Sequence, residues 1–363
     1  MAEREKRKRN PLEDLRNIPP LDDSDPAGRI GREVERQHGA RRSSERDPNA
    51  VNELSERIQS ARQERRPTMQ QISSENALIG QQIINTWLTD DFFDGTTHSS
   101  PGPTTRDRFL DSNPRVRTKP SNWFWQFAED AGFTPTGVSP SGGFWLVKWL
   151  SGRDWKPGDV FVSSSVLTTA DRYNLITHEL LHEAVEANGG DRMYYTGEGG
   201  RRVELGYVRW FHEGTTELFS QELTRAHGMT PSYVSYPYEV MTCFLIQSIL
   251  IEAYGETEGR RMMRDAYLNG DLSSIRNTVD GALGPGTFDR LMKMDRGIEG
   301  ADEIFTLVRN KAGASLLSFS GTSVTLSWTE NPIVQQAMRQ LEQPQVQFPV
   351  HAFRGLREGL SGE

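Results

Sequence analysis

The chain has 363 residues, of which 35% are apolar and 25% charged, with a formal net charge of -8 and a single cysteine, Cys243. That length admits one large domain or two smaller ones, and the lone cysteine excludes both a disulfide scaffold and a cysteine-rich zinc module. No run approaches the roughly 18 apolar residues needed to span a bilayer, and the opening MAEREKRKRN leads into no apolar stretch, so the expectation is a chain made in the cytoplasm without a Sec-type signal peptide.

Residues 1–70 carry 16 Lys and Arg against 14 Asp and Glu, with prolines at Pro11, Pro19, Pro20, Pro26, Pro48 and Pro67. Such a stretch buries too little apolar area to offset the entropy of ordering its backbone, which predicts a disordered charged leader over residues 1–71. The net negative charge arises after this leader, a balance that argues against a nucleic-acid partner. Organised sequence then begins: Ile72, Ile79, Ile83, Ile84 and Leu88 recur at helical spacing. A loop rich in Pro, Thr and Ser follows from Gly95 to Arg106, and Trp123 to Ala131 reads as a short helix. Two strands are predicted at Phe144 to Trp149 and Asp159 to Ser163, and from Thr168 the pattern is helical for most of 130 residues, with Thr196 to Arg202 a flexible loop. Ser315 to Trp328 suggests a hairpin and Pro332 to Leu341 a short helix, both within an appendage at 313–363.

The segment DRYNLITHELLHEAV, Asp171 to Val185, contains His178, Glu179 and His182 in the pattern H-E-x-x-H. On a helix the two imidazoles lie about 40° apart on one face, within reach of a shared metal, and Glu179 lies about 100° further round, where it can touch a water on that metal without being a ligand. The composition yields this pattern by chance on the order of 0.01 times per chain, and the apolar helical setting is the one the chemistry requires. A catalytic zinc keeps three protein ligands and one open position. The third is sought in YVRWFHEGTTELFSQE, Tyr207 to Glu222, where Glu213 and Glu217 share one face of an apolar helix. Two carboxylates near a core are costly unless cations meet them, and a zinc with its imidazoles is a suitable partner. His212 stands as the alternative ligand. Gly214 removes a Cβ, which predicts close approach of this helix to the metal helix. His227 reads as a helix C-terminal capping residue and Cys243 as core.

These residues resemble the gluzincin zinc metallopeptidases, in which the H-E-x-x-H helix is followed by a second helix with a pattern like N-E-G-x-x-E. Here that pattern is His212, Glu213, Gly214, Thr215, Thr216 and Glu217, with His in the usual place of Asn. The resemblance covers about residues 145 to 295 and takes in SYPYEV, AYLNGD and LGPGTF, which are similar to the closing part of bacterial zincin domains. It implies an α+β, predominantly helical zincin domain (metzincin- or gluzincin-like) over 72–312, with a small sheet before the active-site helix. It further implies one Zn2+ per chain on His178, His182 and Glu213, with Glu217 fixing an imidazole and Glu179 as general base in peptide hydrolysis. Tyr236, or else Tyr238, would supply the hydrogen bond to the oxyanion. A protein or peptide is then the expected substrate. Two other expectations stand beside this one: an effector protease whose leader is handled by a secretion or injection apparatus, and a catalytically silent zincin acting as a binding module.

Overall fold

The burial pattern of the first helix sets the layout. A computed structural model describes residues 67–93, 103–120, 123, 143–145, 158–164, 168–295, 300–319 and 331–342. Helix α1 (Met69–Thr86) buries Ile72, Asn76, Ile79, Gly80, Ile83 and Ile84, the stripe that its three- and four-residue spacing predicts. After the short α2 (Asp90–Phe93) and α3 (Thr105–Asp111), strand β1 (Arg115–Lys119) pairs in parallel with β3 (Asp159–Ser163), while β2 (Gly143–Trp145) pairs antiparallel with the other side of β3. All five residues of β3 are buried, as befits the centre of a three-stranded sheet. α1 crosses β1 so closely that a Cβ on Gly80 would lie 2.4 Å from Val116 Cγ2.

Helix α4 (Thr169–Asn188) follows, capped by the Thr168 side chain on Asp171 N and ended by Gly189 in the left-handed conformation, φ 78°. Nearly every residue from Ile176 to Glu186 is buried, so α4 is a central helix. A hairpin of β4 (Met193–Thr196) and β5 (Arg202–Gly206) leads to α5 (Arg209–Ala226) and α6 (Pro237–Tyr254). Then come α7 (Glu256–Asn269), α8 (Ser273–Leu283), α9 (Thr287–Met294), α10 (Ala301–Phe319) and α11 (Pro332–Glu342). The architecture is thus predominantly helical with a small sheet ahead of α4. No helix among the described residues is long and apolar enough to cross a membrane.

Three expectations change. Thr196 to Arg202 is the tip of the β4–β5 hairpin rather than a flexible loop: Gly197 N donates to Arg201 O at 2.7 Å, and Gly199 and Gly200 adopt φ 70° and 76°. The hairpin is tied to the α7–α8 connection through Tyr194 N to Gly270 O and Leu272 N to Tyr194 O, each 2.8 Å. β1 is an element that the sequence reading does not include, and its Arg115 and Arg117 reach the fully buried Asp159 of β3 at 2.9 and 2.8 Å. Ser315 to Phe319 continues α10 rather than opening a hairpin, since the Lys-Ala-Gly-Ala-Ser-Leu-Leu run holds good helix formers; the rest of that segment lies outside the described residues. So do the leader up to residue 66, Leu146 to Trp149, and the expected helix from Phe124 to Ala131. Finally, Gly214 faces α6 rather than α4. Its Cβ would lie 2.5 Å from Glu239 O, 2.6 Å from Glu239 C and 2.8 Å from Cys243 Sγ. One residue is a 100° step, so the residue after Glu213 necessarily points to a different neighbour.

Gly214→Ala is therefore expected to force backbone apart and lower stability by about 1–3 kcal/mol. Gly281→Ala, at an exposed position of α8 with nothing within 4 Å of the new Cβ, should raise it by roughly 0.5–1 kcal/mol through helix propensity. Denaturant midpoints of the two variants against the parent check both signs.

Candidate metal centre

The 3.6-residue repeat places His178 and His182 one turn apart on α4, and the facing stripe of α5 carries Glu213 and Glu217 one turn apart. All four side chains are buried. His178 Nε2 and His182 Nε2 lie 3.1 Å apart. Glu213 Oε2 lies 3.3 Å from the His182 nitrogen and 3.6 Å from that of His178. This carboxylate oxygen is buried and, although close enough for Coulomb attraction, is not aligned as a hydrogen-bond acceptor for any described donor. A four-coordinate metal with bonds of about 2.0–2.2 Å separates neighbouring ligand atoms by about 3.3–3.6 Å. The three edges sit on or just below that range, so His178, His182 and Glu213 form a buried group that can hold a metal ion. Two imidazoles with one carboxylate suit a borderline transition metal and not calcium, which takes six to eight oxygens.

Glu217 supports this group without joining it. Its Oε2 meets His178 Nδ1 at 2.9 Å and Ser220 Oγ at 3.5 Å, and its Oε1 accepts from Gln221 Nε2 at 2.9 Å, Ser235 N at 3.0 Å and Asn174 Nδ2 at 3.2 Å. A carboxylate can only accept, so His178 carries its proton on Nδ1 and turns the Nε2 lone pair toward His182 and Glu213. The charges of the four side chains act strongly on one another. Burial pushes the Glu213 carboxyl up, but the two imidazoles outweigh it and hold this group well below the usual carboxylate range. Burial lowers His178, yet the carboxylates of Glu213 and Glu217 beside it prevail and raise it to about 10, while burial keeps His182 below its ordinary value.

His212 is also fully buried, but its ring stacks on His182 with centroids 4.9 Å apart and planes 6° from parallel. Burial depresses it well below the ordinary histidine range, which keeps it neutral. It packs against His182 rather than converging with the three. Glu179 is buried on the same helix, close enough for its charge to bear on His178 and Tyr236. Tyr236 lies at the N-terminus of α6 with φ 53°, a conformation that costs a non-glycine residue about 1–3 kcal/mol. Its ring stacks on His178 at 6.0 Å, and the Arg209 guanidinium lies 5.1 Å from its centroid. Tyr238 packs elsewhere, against Phe305 at 6.0 Å. His227 ends α5 as expected, with Nδ1 on Leu223 O at 2.8 Å, and Cys243 is a buried core thiol.

Several site residues escape the sequence reading. Asn174 stands four residues before His178 and Gln221 four after Glu217, so helical spacing would have placed both on the site-facing stripes. Tyr207, whose hydroxyl donates to Glu213 Oε1 at 2.6 Å, and Ser235 lie outside helices, where no periodic signal exists. Compared with family models, curated proteins and solved structures, the chain gives no match.

Glu217→Gln turns an NH2 toward the surrounding donors, whichever way the amide points. Metal affinity measured by chelator competition should fall roughly 10–100-fold with the three ligands unchanged. Undiminished affinity would mean that His178 is oriented by something else.

Proposed function

We propose that this protein is a zinc metallopeptidase of the gluzincin kind. The observation that carries the reading is the convergence of His178 Nε2, His182 Nε2 and Glu213 Oε2 on edges that suit a tetrahedral ion, from a helix that also bears Glu179 in the H-E-x-x-H register. His178, His182 and Glu213 would hold the ion, and three protein ligands leave the open position of a catalytic site. Bound zinc supplies a Lewis acid that acidifies water and polarises a peptide carbonyl. The chain's own groups do the rest. Glu179 takes the proton from the attacking water and delivers it to the leaving amine. Tyr236, whose ring stacks on His178, would donate its hydroxyl to the developing oxyanion. Glu217 keeps His178 in the ligating tautomer.

The test begins with metal analysis of zinc-treated protein: about one zinc per chain for the parent, and none retained by His182→Ala or Glu213→Ala. Full occupancy in Glu213→Ala with loss in His212→Ala would transfer the ligand role to His212. Digestion of a diverse peptide library then addresses the chemistry. Glu179→Gln should keep its zinc and its fold while losing a factor of about 100 to 10,000 in turnover, since general acid–base groups contribute on that order and this one serves both halves of the reaction. Equal cleavage by parent and variant would place the activity elsewhere. No cleavage by the zinc-loaded parent would favour a silent binding module.

A further inference from the structure

We propose that Tyr207 is a positioning residue that keeps Glu213 a one-oxygen ligand and thereby preserves the open coordination position. The inference rests on the metal-binding reading above and concerns how the carboxylate is shared. Its two oxygens have different environments. Oε1 accepts the Tyr207 hydroxyl at 2.6 Å, whereas Oε2 faces both imidazole Nε2 atoms. A hydrogen bond that short to an ionised acceptor is among the stronger kinds, and it holds Oε1 away from the point on which the three ligand atoms converge.

Tyr207 is itself held. It is the first residue after β5, which ends at Gly206 with φ 69°, and it lies two residues before α5 begins at Arg209. Its ring centroid is 4.6 Å from that of His212, which in turn stacks on His182. The phenol therefore cannot swing aside without disturbing the second ligand. Take away its oxygen and Oε1 becomes a buried carboxylate oxygen without its donor, a costly state. The nearest relief is rotation of the carboxylate so that both oxygens reach the metal. That adds a fifth bond where substrate and water are to bind. Among the described residues, the Tyr207 hydroxyl is the donor to Oε1 that opposes this rotation.

Tyr207→Phe removes one oxygen atom and retains the ring packing. X-ray absorption spectroscopy of the zinc-loaded full-length chain, supported by visible absorption of the cobalt(II)-substituted form, counts the metal's neighbours. Four are expected in the parent and five in Tyr207→Phe, with one metal per chain in both. An unchanged coordination number and spectrum in a metal-loaded Tyr207→Phe would overturn the inference and leave the metal reading standing. A parent that takes up no metal would overturn both.

Discussion

Two carboxylates on one face of a nearly buried helix are the constraint around which the centre of this protein is arranged. Glu213 and Glu217 are 9% and 1% exposed, and each would be expensive to desolvate alone. The chain meets the second entirely from its own stock of donors: an imidazole, two side-chain amides, a hydroxyl and a backbone N–H from three separate segments. It meets the first only in part. One oxygen takes a phenol, and the other is left facing two nitrogens that cannot both donate if they are to ligate. That unequal treatment of two chemically identical groups, four residues apart, sets Glu217 apart from Glu213, the carboxylate in the group that can hold a metal ion.

The packing follows from holding those helices at the required distance. α5 lies between α4 and α6, and it can do so because successive residues serve different neighbours. Glu213 addresses α4, Gly214 lets the α6 backbone approach, and Thr215 bonds to Cys243 at 3.4 Å. The loop from Met229 to Tyr236 is fastened from several sides. Ser232 N and Oγ donate to Asp171 in the first turn of α4, Gln336 of α11 donates to Pro231 O at 2.9 Å, and Val234 N donates to Gln340 Oε1 at 2.7 Å. Such bracing helps to maintain the unfavourable backbone of Tyr236 and the reach of Ser235 to Glu217. The C-terminal helix α11 thus contributes to the geometry around the metal-binding group, although none of its residues touches a ligand.

What the sequence disclosed was whatever recurs with a helical period. His178, Glu179 and His182 could be placed on one helix, and Glu213 with Glu217 on another, because their spacing and apolar neighbours carry the same signal as the core itself. β1 gave no such signal, since its alternate Arg residues are there to neutralise an aspartate 42 and 44 positions away in the chain. The hairpin between α4 and α5 was hidden for a different reason: its glycines mark a turn but cannot reveal that the flanking residues pair. Gly214 illustrates the limit most clearly. Its need for space was readable, but which helix required that space depends on how three helices pack, and a single chain's pattern does not contain that choice.

The short separation along the chain between these groups also bears on how the protein folds. His178 and Glu217 are 39 residues apart and are joined through one hairpin, so closing the loop that unites them costs little more than closing a much shorter one, because that entropy grows only with the logarithm of length. Across small proteins, folding is faster where contacts are closer in sequence. The two helices and their hairpin can therefore meet during synthesis once Glu217 is available, well before α11 exists to brace the loop beside them. A nascent chain would then bring His178, His182, Glu213 and Glu217 near one another before α11 is there to fix the loop beside them.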